Sequence, residues 1–135
     1  MGAAVDTQGQ VFKNGTATLM GRIRGNDAGN ITRDDVASIA YSIYRLDEDD
    51  VDSRAAVENH DAVDVTVADV IFDALQTDDD RWTVDSTGYN FRHTIPISSY
   101  VAFAVAGVHY LVEYTLTMAS GQGEKILVRY DLECL

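Results

Sequence analysis

Residues 69–96, DVIFDALQTDDDRWTVDSTGYNFRHTIP, contain the features that decide the fold, including the chain's one tryptophan and one proline. From residue 89 to 95 the sequence alternates aromatic or apolar residues with polar ones, as a strand with one solvated face does. Residues 85–88 form a turn sequence in which Gly88 can adopt a positive φ. Pro96 ends the strand. The segment therefore predicts a strand that is entered through a tight turn.

The start of the same segment has a different pattern. Residues 69–75 place apolar residues in pairs between two aspartates, which favours one short helical turn that lays Val70, Ile71 and Leu75 over a core. Three aspartates at 78–80 then predict an acidic surface loop.

The aromatic residues Trp82, Tyr89 and Phe91 allow two interpretations. Alternation places Tyr89 and Phe91 on one face, which favours a core position with Trp82 packed beside them. An exposed Trp82 next to Arg81 and Arg92 would instead favour a platform for carbohydrate or for a protein partner.

Outward from this segment, alternation predicts further strands at residues 16–24, 37–46, 62–67, 108–118 and 125–133. Turn clusters lie at 25–30 and 120–123, and a capped turn lies at 31–36. The acidic stretch from residue 47 to 61 predicts an extended, mobile loop, because its carboxylates repel one another. With almost no helix, these elements predict an all-β domain at residues 16–135, an antiparallel β-sandwich of about seven strands.

Two segments outside the clear strands are candidates for partner contacts. Residues 1–15 have little to bury, so they predict either a disordered N-terminus or an extended arm that pairs with a neighbouring subunit through Val11 and Phe12. Residues 97–107 are apolar without a clear period, and either cover the core or offer a contact surface, with Tyr100 and Phe103 as anchors.

Composition excludes several function classes. At 135 residues the chain has the size of one domain, and its formal net charge of −12 disfavours binding to nucleic acid or to an anionic membrane. No apolar run approaches the ~18 residues that span a bilayer, which predicts a soluble protein. Cys134 is the one cysteine, so the fold must be held by packing, and a reducing compartment is the default.

The sequence shows no pattern typical of catalysis or of a bound cofactor. His60, His93 and His109 lack the spacing of a zinc site and are predicted to lie on the surface. The acidic runs at 47–52 and 78–80 could hold calcium, but they lack the glycine-containing loop of a known calcium motif. We therefore expect a protein that is not an enzyme and that has no metal and no cofactor.

Three stretches carry a resemblance to a known family: RWTVDSTGYNFRHTIP at 81–96, HYLVEYTLTMASGQGEKILVRYDLECL at 109–135, and TATLMGRIRGNDAGNITRDDVASIAYSIYRL at 16–46. Together they resemble the small immunoglobulin-like (Ig-like) β-sandwich proteins encoded among the structural genes of tailed bacteriophages. The resemblance covers roughly residues 16 to 133 and carries over no catalytic residue.

The resemblance implies a non-enzymatic virion structural protein, most specifically a capsid decoration (cement) protein that binds and stabilises neighbouring subunits. A tail, neck or baseplate component is the alternative, as is an Ig-like module that binds host-surface glycan or protein. The expected partners are other virion structural proteins and further copies of the chain, in a virion assembled in the host cytoplasm. The residues expected to contact them are Val11, Phe12, Tyr100 and Phe103.

Overall fold

A computed structural model describes residues 4–25, 29–47, 50–119 and 124–135. Its strands in chain order are β1 (Ala4–Val11), β2 (Thr18–Gly21), β3 (Val36–Asp47), β4 (Asp50–Ala56), β5 (Val63–Val65), β6 (Ile71–Gln76), β7 (Tyr89–Thr94), β8 (His109–Met118) and β9 (Lys125–Cys134). A 3-10 turn (Arg33–Asp35) precedes β3, and one helical turn, α1 (Val67–Val70), lies between β5 and β6. The described part of the chain is all-β, as the alternation predicts.

The strands form two sheets. The larger sheet has the order β1-β9-β8-β3-β4, with β5 also paired to β3, and the smaller sheet has the order β2-β7-β6. The predicted central strand is confirmed as β3, which pairs with β8 on one side and with β4 and β5 on the other. Every pair between named strands is antiparallel except β1 with β9, so the larger sheet is mixed.

The core lies between the two sheets and explains the periodicity of the sequence. Ile39, Tyr41 and Ile43 on β3 are all buried, as the alternation of this strand predicts. The ring of Phe91 on β7 meets the ring of Tyr114 on β8 edge-on, with the ring centroids 4.9 Å apart. The alternating apolar faces of the two sheets therefore pack on one another as a sandwich.

The N-terminal region was predicted to be an arm outside the domain, but part of it belongs to the larger sheet. Residues 4–11 form β1, which pairs in parallel with β9 of the same chain and sets Val11 beside Cys134. The pairing is made by backbone groups, which any side chain permits, so the small and polar composition of this region did not indicate it. A contact between this region and a neighbouring subunit stays a prediction.

The helical turn predicted at residues 69–75 is wrong in position. The helix ends at Val70, and Ile71–Gln76 is β6, which pairs with β7 through Ile71 and Phe91. Both Ile71 and Phe91 are fully buried. Paired apolar residues fit either a helical face or a strand buried at one end. Here the segment is a strand because it pairs with β7.

The acidic stretch after β3 is also more ordered than predicted. Residues 50–56 form β4, which continues the larger sheet by pairing Tyr44 with Ala56 and Arg45 with Ala55. The guanidinium of Arg54 lies 4.5 Å from the centre of the Tyr44 ring, where a cation is attracted to the ring face. Residues 48 and 49, the hairpin loop predicted at 120–123 and part of the turn cluster at 25–30 lie outside the described residues.

Gly88 has the positive φ that the turn sequence predicts, at 99°. A Cβ at this position would collide with the carbonyl oxygen of Gln76, on the strand that pairs with β7. Gly107 also has a positive φ, of 86°, but a Cβ there would meet nothing within 4 Å. A substitution at Gly107 therefore meets only the strain of a positive φ, whereas one at Gly88 meets that strain and a steric collision as well.

We predict that Gly88→Ala lowers the free energy of unfolding by about 3 kcal/mol, because the methyl group adds a backbone collision to the strain of a positive φ. Gly107→Ala should cost about 1 kcal/mol, from the strain alone. Urea denaturation of the two variants measures both values. Equal losses would contradict the close approach of residue 88 to β6.

Candidate interaction surfaces

One end of the sandwich is formed by the segments that follow β1, precede β8 and end the chain. Backbone hydrogen bonds join them: Lys13 N–H donates to Leu135 O at 3.1 Å, and Asn14 N–H donates to Phe103 O at 2.7 Å. Five large hydrophobic side chains on these segments are exposed, namely Phe12, Tyr100, Val101, Val105 and Leu135. We call these five side chains the apolar end surface.

The structure divides the four predicted contact residues into two groups. Phe12 is 73% exposed and Tyr100 is 54% exposed, so both belong to the apolar end surface. Val11 and Phe103 are buried in the core of their own chain. The side chains of Val11 and Phe103 therefore pack in the core and are not accessible to a partner in this conformation.

The apolar connection at residues 97–107 covers the core with some side chains and leaves others exposed, and a contact between the exposed ones and another subunit stays a prediction. Ala102 and Phe103 cover the core, and the Phe103 ring packs edge-on against Tyr110 with centroids 5.3 Å apart. Tyr100, Val101 and Val105 face solvent. A segment without a period can present apolar groups to both sides, which is why the sequence left the two alternatives open.

His60 holds this connection in place, and the prediction that it lies on the surface is wrong. Its ring is buried, with Nδ1 2.9 Å from the hydroxyl of Tyr41 and Nε2 3.0 Å from the carbonyl oxygen of Tyr100. The imidazole thus joins the central strand β3 to the backbone beneath the exposed Tyr100 ring. A histidine in a polar stretch gives no sign of such a role, because the contact spans 40 residues of sequence.

His93 is also more enclosed than predicted. Its Nδ1 lies 2.7 Å from the hydroxyl of Tyr114, and its ring packs beside Tyr41 with centroids 5.3 Å apart. Burial lowers the pKa of His93 to about 4, because the charged imidazolium would lose its hydration. Burial likewise raises the pKa of the Tyr114 hydroxyl well above its ordinary value. The pair is therefore neutral at physiological pH.

The acidic run at 78–80 contains a structural carboxylate. Asp79 accepts hydrogen bonds from Arg81 Nε at 2.9 Å through one of its oxygens, and from Arg81 Nη2 at 2.7 Å through the other. Arg92 Nη1 at 3.2 Å and the Tyr89 hydroxyl at 3.0 Å also donate to it. The hydrogen bonds from Arg81 and Tyr89 hold the pKa of Asp79 far below its ordinary range. This carboxylate organises the loop before β7, while Asp78 and Asp80 are exposed, as the prediction of an acidic surface loop requires.

Trp82 is partly buried beside this cluster. Its ring lies 5.6 Å from that of Tyr89, and its Nε1–H donates to Asp85 Oδ1 at 3.2 Å. The core interpretation is confirmed for Phe91 and for Tyr89, both of which are buried. Trp82 itself is partly accessible to solvent, and its neighbour in sequence, Arg81, is exposed.

A groove runs along the open side of the sandwich, and Trp82 forms part of its wall. It encloses about 440 Å³ between the end of β1, the strand β2 and the loop at 81–84, with Tyr130 and Leu132 of β9 also in its lining. We call this cleft the edge groove, because β1 and β2 are each the last strand of their sheet.

A metal site is not found among the side chains that the structure describes, and those of the acidic run at 47–52 lie outside them. No three described histidine, cysteine, aspartate or glutamate side chains converge in a way that could hold an ion. The helices found in the described ranges are also too short or too polar to cross a membrane.

We predict that the protein loses stability as the pH falls from about 6.5 to about 4. The pKa of His93 is about 4 in the folded state, and that of an unfolded histidine is ~6.5, so in this interval the unfolded chain binds a proton that the folded chain does not. The loss should reach up to ~3 kcal/mol. Urea denaturation across this pH interval measures it.

The matched variants are His93→Gln, which removes the titration, and His109→Gln, which changes a partly exposed ring on β8. His93→Gln should make the free energy of unfolding depend less on pH. His109→Gln should retain the part of the pH dependence that His93 causes. An unchanged pH profile in His93→Gln would show that other groups cause the decline.

Comparison with known proteins adds no relative to these observations. No protein-family model matches the chain, and no curated protein sequence matches it significantly.

Proposed function

We propose that this protein is a non-enzymatic virion structural protein, and most specifically a capsid decoration (cement) protein that binds neighbouring subunits. The observation that carries the proposal is the apolar end surface. It sets five exposed hydrophobic side chains on segments that hydrogen bonds tie to one another and to the core. Exposed apolar side chains held on segments that are tied together in this way are typical of a protein–protein contact.

The anchoring of the surface supports a preformed contact. Tyr100 is attached through its carbonyl oxygen to the buried His60, and Phe12 follows directly on the buried Val11. Fixing these positions in the free protein reduces the conformational entropy that is lost on binding. Complete burial of a large apolar side chain contributes ~1.5–3 kcal/mol, so a few of these residues suffice for a contact that is repeated over a lattice.

The charge of the chain indicates the kind of surface it would meet. Its net charge is −12, whereas the apolar end surface carries no charged side chain of its own. A partner surface with an apolar centre and a basic rim would match both features, because the surrounding charges steer the approach and the apolar centre holds the contact. Other virion proteins are the proposed partners, and clusters of this chain at symmetry positions would reuse the same contact.

A tail, neck or baseplate component is the alternative within the same class, since one apolar contact surface serves any of these positions. Copy number and location separate them. Mass spectrometry of separated heads and tails, followed by reconstruction of the particle, is the decisive experiment. Hundreds of copies on heads would establish decoration, and a few copies confined to tails would favour the neck, tail or baseplate. Absence from particles would overturn the structural proposal.

The edge groove favours a second candidate function, an Ig-like module that binds host-surface glycan or protein. Trp82 is partly accessible and lines this groove together with Arg81, which suits contact with a sugar ring or a partner side chain. This candidate predicts binding by the free protein to host-cell surfaces and absence of the chain from purified heads.

We predict that Phe12→Asp and Tyr100→Asp each reduce retention on purified heads by at least tenfold, because each places a charge where an apolar contact is made. Lys125→Asp is the matched control. It adds negative charge at the first residue of β9, whereas the apolar end surface lies beside the last residue of that strand. Retention of the three variants is measured by sedimentation of the particles and quantitative mass spectrometry.

Equal retention of all three variants would exclude the apolar end surface as the contact. Thermal unfolding of each free variant checks that a loss of retention is not a loss of folding. Both substituted side chains are mostly exposed, so stability should change little.

A further inference from the structure

The edge groove has unused hydrogen-bonding groups along one wall. Ile95 N–H donates to Ala17 O at 2.9 Å, so by the alternation of an antiparallel ladder Ala17 and Leu19 turn their backbone groups toward β7. Thr18 and Met20 therefore turn their N–H and C=O groups the other way. In the described ranges no strand lies on that side of β2.

One of these outward groups is satisfied from within the protein. The hydroxyl of Tyr130 donates to Met20 O at 3.0 Å. The N–H of Met20 and both backbone groups of Thr18 remain directed toward the groove, at the spacing of an unpaired strand edge. Such an edge forms a template for another extended segment.

The opposite wall has the same character. Leu135 N–H donates to Val11 O at 2.8 Å, which turns the backbone of Val11 toward β9 and that of Gln10 away from it. Two strand edges thus border one groove, and each presents backbone groups to it.

The rims of the groove are apolar. Phe12, 73% exposed, and Val84, 72% exposed, are the two most exposed large hydrophobic side chains of the described residues, and both line this groove. Trp82 and Leu19 belong to the same lining. A segment that occupied the groove would cover these apolar groups at the same time as it satisfied the strand edge.

We propose that the edge groove binds an extended, basic segment of a partner protein, which adds as a strand to β2 and places alternate apolar side chains between Phe12, Trp82 and Val84. This rests on the proposed function and deepens it by adding a second contact for the partner, which shares Phe12 with the apolar end surface. A strand is the required shape because the free backbone groups repeat along β2 at strand spacing, which a compact ligand cannot match.

Charge favours a basic segment over a second copy of the chain. Each copy carries a net charge of −12, so two copies repel each other, whereas a basic segment is attracted. Arg81, the one charged residue in the lining of the groove, is paired with Asp79 at 2.7 Å. It therefore presents little net positive charge to an incoming lysine or arginine.

The test uses the full chain and a capped ten-residue peptide of alternating valine and lysine as the probe. Trp82 is the one tryptophan of the chain and lies in the groove, so its fluorescence reports occupancy directly. We expect a saturable change in that fluorescence, weakened by salt, and at least tenfold slower hydrogen exchange at the amides of Thr18 and Met20.

Two control peptides separate charge from strand geometry. A peptide of alternating valine and glutamate should not bind, because it is repelled. A valine–lysine peptide that is N-methylated on the edge facing β2 keeps the charge but cannot pair, and it should lose the exchange protection. Protection by the methylated peptide equal to that by the parent would overturn strand addition.

The matched variants are Thr18→Pro and Thr18→Val. Both variants lose the Thr18 hydroxyl, which lies 2.8 Å from the hydroxyl of Thr94, but only the proline also loses the N–H that points away from β7. Thr18→Pro should weaken peptide binding at least tenfold and Thr18→Val should not. Val84→Ser removes an exposed apolar rim side chain without touching a strand or adding charge, and should also weaken binding, which keeps the test decisive if the proline variant does not fold.

The outcomes separate this proposal from the function on which it rests. If particles contain the chain in many copies but the valine–lysine peptide gives no protection at Thr18 and Met20, strand addition is overturned and the structural role stands. If the peptide binds but particles lack the chain, the groove is supported and the virion role fails. A dimer of the free protein that Val84→Ser dissociates would overturn the proposed partner in favour of a second copy.

Discussion

The contact between Phe91 and Tyr114 is the constraint on which the rest of the fold depends. It joins the middle strand of the smaller sheet to a central strand of the larger one, and neither side chain is exposed to solvent. Tyr114 also packs against Tyr41 and Tyr130 and bonds to His93, so one side chain connects strands β3, β7, β8 and β9. Because the two sheets meet here, the position of β2, and with it the edge groove, follows from this packing.

The arginines show how a chain with so many carboxylates remains compact. Asp79 is paired with Arg81 and Arg92, Asp85 with Arg22, and Glu113 with Arg129. Several of the few cations are thus used inside the protein to fix loops and adjacent strands. The acidic groups without such pairs give the remaining surface its negative charge, which favours solvation and disfavours self-association except where side chains are apolar.

Alternation of residue type predicted the strands whose two faces differ, such as β3, β7 and β8, because burial on one side leaves a period of two in the sequence. It missed β1 and β4, which are edge strands held largely by backbone pairing, and which need no such pattern. The apolar doublets near Val70 and Ile71 fitted a helix as well as a strand, and only the neighbouring β7 decides between them.

The candidate surfaces were predicted in part for a related reason. Phe12 and Tyr100 were selected because they are large apolar side chains in segments without a clear strand pattern. The same criterion also selected Val11 and Phe103, which are buried. The role of His60 depends on Tyr41 and on the Tyr100 carbonyl, both distant in sequence. The edge groove arises from strands of different sheets, so no local pattern could show it.

The parallel pairing of β1 with β9 has a consequence for how the protein is made. Gln10 and Glu133, which face each other in this pair, are separated by 123 residues, so β1 leaves the ribosome long before its partner strand exists. Until β9 has formed, the backbone of β1 has no edge in its own chain to pair with in the final sheet. Contacts of such long sequence separation form late and slow folding. During synthesis, therefore, the strand that finally forms one edge of the larger sheet is an unpaired segment exposed to neighbouring nascent chains.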